Sequence, residues 1–194
     1  TTLRSLTRLP EEIPPSSVGF FSFSWVEMKT SVEELKDFTT LIFLEPSTSH
    51  VTRKLMSLRQ ELIDVGFFSL APCTHNKPCP LLVHSKTDWC HDRVHFDRPP
   101  WFMELEDRLP MKNNSLTYSY LVMSKDPLFK TNTLARVIGD TLKEKGKTRQ
   151  AICYDDKRRF LSWLKRNHKV IPRLDHGSLI SIQGGLEKGS EIRV

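Results

Sequence analysis

No apolar run in this chain of 194 residues approaches the roughly 18 needed to span a bilayer, so membrane insertion is set aside. Glycine is sparse. The eight are Gly19, Gly66, Gly139, Gly146, Gly177, Gly184, Gly185 and Gly189. None builds a G-x-G turn after an early strand, which excludes a glycine-rich cofactor cradle from these residues. No two cysteines stand two to four residues apart, the usual spacing of a structural zinc knuckle. The residues offer no Ser/His/Asp or Cys/His arrangement suited to nucleophilic catalysis, and no segment repeats. The opening, Thr1-Thr2-Leu3-Arg4, has neither an initiator methionine nor the apolar centre of a secretory signal, so the expectation is a processed or partial polypeptide.

Acidic charge is scarce in one region only. From Arg136 to Arg173 there are twelve Lys/Arg against four Asp/Glu, a net of +8, whereas residues 1–135 hold fifteen against sixteen, a net of −1. The overall +6 therefore belongs to the last third. A patch of that kind is the electrostatic footprint of a polyanion, because each neutralised phosphate releases counterions. The plainer alternative is a solvated basic face. With 38% hydrophobic and 27% charged residues, the chain can bury a core without needing a metal to fold.

Residues 1–17, ending in Pro14-Pro15-Ser16-Ser17, read as an extended arm or linker. Short apolar runs at 18–25, 40–46 and 67–70 read as buried strands, with a short helix over 31–38 between the first two. Val51, Leu55, Leu58, Leu62 and Val65 recur at helical spacing, with hydroxyl residues ahead of them and Gly66 behind. Strand, helix, strand, helix, strand is the pattern of a parallel α/β sheet. The third strand delivers the cysteine-rich stretch, at a strand end where such sheets place their sites. Residues 98–114 read as an irregular crossing with a short helix, 115–124 as a long strand, and a short helical piece follows Lys125-Asp126-Pro127. Beyond it, strands at 150–155, 178–182 and 191–194, with a basic amphipathic run over 156–168, suggest a small β-rich module spanning 136–194.

Three of four cysteines and four of seven histidines fall within residues 71–96. The cysteine pattern is Cys73-x5-Cys79-x10-Cys90-x62-Cys153. Four thiolates can hold zinc or a cubane iron–sulfur cluster, and the wide spacing suits the larger object. Pro72, Pro78 and Pro80 are expected to hold the loop extended. His75, His84, His91 and His95 could each replace a thiolate on zinc, a disulfide framework is a further alternative, and Cys153 on spacing alone reads as a core thiol.

Together, "EPSTSH" (45–50), "APCTHNKPCPL" (71–81), "DWCH" (88–91), "SYLVMS" (119–124) and the distant Cys in "QAICYD" (150–155) resemble the iron–sulfur, methyltransferase-like assembly factors of the mitochondrial small ribosomal subunit and their bacterial relatives. The similarity runs from about Gly19 to the end. It departs at Thr74, where the family usually has Pro, and at Val26, where many members have Asn before the carboxylate that Glu27 supplies here. The resemblance implies the C-terminal part of a Rossmann-like methyltransferase sheet over 18–135, with an iron–sulfur loop at 71–100, and a [4Fe–4S] cluster on Cys73, Cys79, Cys90 and Cys153. It implies a mitochondrial protein that partners small-subunit ribosomal RNA and ribosomal proteins. The family's turn for S-adenosylmethionine is missing, so binding of that cofactor is not expected in this chain alone, and no catalytic residue is assigned. Lys143, Lys145, Lys147, Arg149, Lys157, Arg158, Arg159, Lys165 and Arg166 would face phosphates, with Trp163 available to stack on a base unless it is core. Two rival readings stay open: part of an rRNA methyltransferase whose cofactor half lies upstream or in a separate chain, and a zinc-stabilised RNA-binding module.

Overall fold

A computed structural model describes residues 9–110, 115–127 and 134–194. Residues 1–8 of the expected arm, the end of the 98–114 crossing and the helical piece expected after Pro127 lie outside them. Within the arm, Leu9 and Ile13 pack against the first core, so this stretch is anchored by apolar contact.

The chain enters a sheet through β1 (Val18–Ser22) and crosses over by two one-turn helices, α1 (Trp25–Met28) and α2 (Val32–Leu35). It then pairs β2 (Thr40–Pro46) in parallel with β1. The first strand is shorter than its apolar run because Phe23 adopts φ +53 and turns the chain into α1. Glu27 is thereby placed on a helix instead of at a strand end. Ser31 opens α2 with a reciprocal cap: its hydroxyl accepts from the Glu34 N–H, and Glu34 accepts from the Ser31 N–H at 2.8 Å.

Helix α3 (Ser49–Asp64) buries Leu55, Leu58 and Leu62 as their spacing predicts. Val65, the last member of that series, is instead the C-cap and 43% exposed. Gly66, at φ +97, lets the Gly66 N–H reach the Ile63 carbonyl (3.0 Å) and the Phe67 N–H reach the Leu62 carbonyl (2.9 Å). These are the two bonds of a left-handed helix stop, which a side chain at 66 would strain.

Then come β3 (Phe68–Ala71), α4 (Pro80–His84), β4 (Asp92–His95), α5 (Pro100–Glu106) and β5 (Ser115–Ser124). The sheet order is β1-β2-β5-β3, with β4 also on β5, and β5 is antiparallel to all its partners. The expected parallel sheet is therefore mixed. Its helix-linked strands keep a common direction, but β5 is inserted between β2 and β3. The second half of β5, flanked on both edges, buries Leu121, Met123 and Ser124.

The second sheet is nearly all antiparallel: β6 (Leu134–Lys143), β7 (Lys147–Tyr154) and β8 (Lys157–Leu164) form a meander, and the short β9 (Leu179–Ser181), β10 (Leu186–Lys188) and β11 (Glu191–Arg193) complete the order β10-β11-β8-β7-β6-β9. Asp155, at φ +54, makes the two-residue turn between β7 and β8. Buried apolar side chains form two clusters, one around Phe43, Leu58 and Met123 and one around Val137, Ile152, Leu161, Trp163 and Ile192.

Candidate metal centre

Strands β3 and β4 lie end to end along one edge of β5, pairing respectively with Ser124–Val122 and with Tyr118–Ser115. The chain between them leaves the sheet and returns to it, and this excursion carries Cys73, Cys79 and Cys90. Cys79 is the N-cap of α4, with Pro80 at the first helical position. Pro80 thus starts a helical turn, where its missing N–H is no loss, and does not keep the loop extended. Cys153 comes from the other sheet, on β7, paired with Arg136 of β6 and Arg158 of β8.

All four cysteines line one cavity of about 40 Å³, roughly three times the room that one water needs. No disulfide joins them. Burial pushes the Cys90 thiol up to about 12 and raises Cys79 and Cys153 as well; neighbouring cysteines add to each rise, Cys73 in every case. Each of these sulfurs therefore keeps its proton at neutral pH unless a cation sits among them. Among the described residues, no group of three or more His, Cys, Asp or Glu could hold a metal ion as placed. The sulfurs surround a void and do not converge on a point.

Two buried arginines complete the lining. Arg59, 2% exposed, rises from α3 and donates to the carbonyls of His75 and, at 3.1 Å, Lys77, tying the excursion to the helix. Arg136, 4% exposed, is ion-paired with buried Asp92 and donates to the Gly177 carbonyl at 3.2 Å. Arg59 lowers Cys79 and Cys153, and Arg136 lowers Cys90, against the larger effect of burial. The Nε–H groups of both are buried without a hydrogen-bond partner among the described residues, although buried donors are usually paired. Four sulfurs and two guanidinium groups make a donor set that fits an anionic thiolate-bound centre.

The sequence contained a signal for Arg59, since it falls on the apolar stripe of α3 between Leu55 and Leu62, where an arginine needs buried partners. Nothing local marked Arg136, Asp92 or His176. Of the four histidines in the cysteine stretch, His75 and His91 line the cavity. His75 Nε2 lies 3.6 Å from Cys153 Sγ, and His91 stacks on His176 with centroids 4.5 Å apart. Burial holds both His91 and His176 below the ordinary histidine value.

The basic residues of the second sheet divide. Lys147 and Arg149 are ion-paired with Glu191 and Glu144, Arg158 with Asp88, and Arg159 with Glu187 at 3.0 Å, while Lys165 donates to the Glu144 carbonyl at 2.6 Å. Lys143, Lys145, Lys157 and Arg166 are exposed. Trp163, left by the sequence as either a stacking ring or a core residue, is 4% exposed inside the second core; it shares the inward face of β8 with Leu161, leaving no face for a base.

Residues 27–179, most of the chain, match the family model described as mitochondrial small ribosomal subunit Rsm22. No curated protein matches the chain.

Proposed function

Given that the chain belongs to the Rsm22 family of the mitochondrial small ribosomal subunit, we propose that it is a non-catalytic iron–sulfur protein that binds the ribosomal RNA of that subunit. It is a mitochondrial protein associated with the small ribosomal subunit. The finer reading assigns a [4Fe–4S] cluster to Cys73, Cys79, Cys90 and Cys153. The observation that carries it is the convergence of four cysteines, from both sheets, on one cavity.

Thiols held neutral by burial give up their protons to a metal at neutral pH, and four thiolates suit a cubane cluster. When bound, the cluster supplies a covalent link among the four sulfurs. The residues do the rest. Arg59 fixes the carbonyls of the excursion, Arg136 and Asp92 join β6 to β4, and Lys77 reaches Asp155 at 2.6 Å across the same seam. The second sheet is thereby held fixed, and on it the exposed Lys143, Lys145 and Arg166, at the end of the meander where β6 turns into β7, and Lys157, at the end where β7 turns into β8, meet phosphates.

Protein purified without oxygen should carry about four irons and four sulfides per chain. One zinc and no sulfide would refute the cluster. Cys153→Ser should lower iron content as far as Cys79→Ser does; full iron in Cys153→Ser would remove it as the fourth ligand. For RNA, Lys143→Glu with Lys145→Glu should weaken binding to small-subunit rRNA and flatten the log–log salt dependence by roughly 0.7–0.9 per lost phosphate contact. Binding indifferent to both salt and these reversals would move the contact elsewhere.

A further inference from the structure

A group of exposed apolar side chains lies on β4, on α5 and at the start of β5. Val94 of β4 and Leu116 of β5 are register partners, 44% and 56% exposed. Phe96, two residues beyond Val94 and 40% exposed, meets the Phe102 ring at 6.4 Å, and Phe102 in turn meets Trp101 edge-on at 5.6 Å. Trp101 is 67% exposed, and Leu105, one helical turn along α5, is 52% exposed. Three rings, Phe96, Phe102 and Trp101, are thus linked in series, with Leu105 one turn along the helix from Trp101. Scattered surface leucines need no explanation, but a contiguous aromatic strip leaves apolar area in water that a partner would cover.

Its charge separates the two classes of partner present in a ribosomal subunit. Residues 97–108 contain Asp97, Glu104, Glu106 and Asp107 against Arg98 and Arg108, a net of −2. Arg98 is taken up by the buried Glu106 at 2.5 Å, and the carboxylates of Asp97 and Glu104 are exposed beside the strip. A phosphate backbone approaching Trp101 would meet like charge; a protein segment with apolar anchors and flanking Lys/Arg would meet its complement. An exposed tryptophan packed edge-on against a neighbouring ring, with exposed carboxylates near it in the chain, has the composition of a protein–protein hot spot.

We propose that the strip formed by β4, β5 and α5, centred on Trp101, docks a basic protein of the small subunit, so that the chain contacts protein with this strip and RNA with the second sheet. The docking face stands without the cluster and without the RNA reading. The test uses total protein extracted from mitochondrial small subunits, freed of RNA by nuclease and salt, as the probe. Wild-type chain should bind one basic component saturably, and Trp101→Ser should weaken that binding at least tenfold, Trp101→Phe less. Glu104→Lys should weaken it further as salt is lowered. Because Trp101 is largely exposed, iron content, thermal midpoint and rRNA affinity should stay at wild-type values in Trp101→Ser, so loss of RNA binding in Lys143→Glu/Lys145→Glu alone reports on the other face. A photo-crosslinker placed at 101 that labels rRNA overturns the proposal. So does equal protein binding by wild type and Trp101→Ser, or wild-type dimerisation that Trp101→Ser abolishes, which would identify the occupant as a second copy of this chain.

Discussion

Replacing Arg136 with Met tests whether the seam between the sheets is an electrostatic joint. Arg136 and Asp92 are 4% and 8% exposed, and the guanidinium also reaches the Gly177 carbonyl and the Tyr120 hydroxyl. Removing one member of a buried pair leaves the other charge uncompensated, which costs about 3–5 kcal/mol. For a chain of this length that corresponds to a fall of roughly 6–20 °C in thermal midpoint. Asp92→Asn should cost a similar amount, whereas Arg136→Met with Asp92→Asn removes both charges together. The double variant should therefore lie well above the sum of the single losses, with a coupling of about 1–3 kcal/mol. Urea unfolding of the four proteins, followed by circular dichroism, measures the cycle. Additive losses, or single losses below about 1 kcal/mol, would show that the pair is not coupled and that apolar packing alone joins the sheets. Arg136 also opposes the rise of Cys90, so Arg136→Met should retain less iron at neutral pH even where it remains folded.

Trp163→Ala should cost about 3–5 kcal/mol, as expected for a core aromatic, while the salt slope of RNA binding by the folded fraction stays unchanged; titration and urea midpoints on the same preparation separate the two effects. Metal-free protein should lose stability with alkali. The folded state holds the Cys90 proton up to about pH 12, while the unfolded chain releases it near 8.5. Stability is therefore full below about 8.5 and falls toward 12, by about 1.4 kcal/mol per pH unit from Cys90 alone. Urea midpoints at successive pH values read this slope, and Cys90→Ser should flatten it.

The local elements were legible because local chemistry specifies them. Leu55, Leu58 and Leu62 wrote α3, Gly66 wrote its stop, and the alternation from Ser115 to Ser124 wrote β5. What local pattern could not supply was pairing: nothing near β5 states that it enters antiparallel between β2 and β3, since that depends on which edge remains open once the parallel strands have formed. The same limit applied to the site. Cysteine type and count were visible, and the cavity places all four together, but Arg136 joins it, and Asp92 and His176 back Arg136 and His91, through contacts between distant segments. Trp163 stayed open for a related reason, because a basic run suggests a surface, whereas the second half of β8 is buried, with Leu161 and Trp163 on the core face.

Cys73, Cys79 and Cys90 belong to the excursion from the first sheet, while Cys153 is delivered by β7 of the second. The first three are gathered by pairing within one sheet, and the fourth is supplied only by the docking of the other. A binder satisfied by three sulfurs would report on the first sheet alone, whereas one demanding all four would fasten the two sheets to each other.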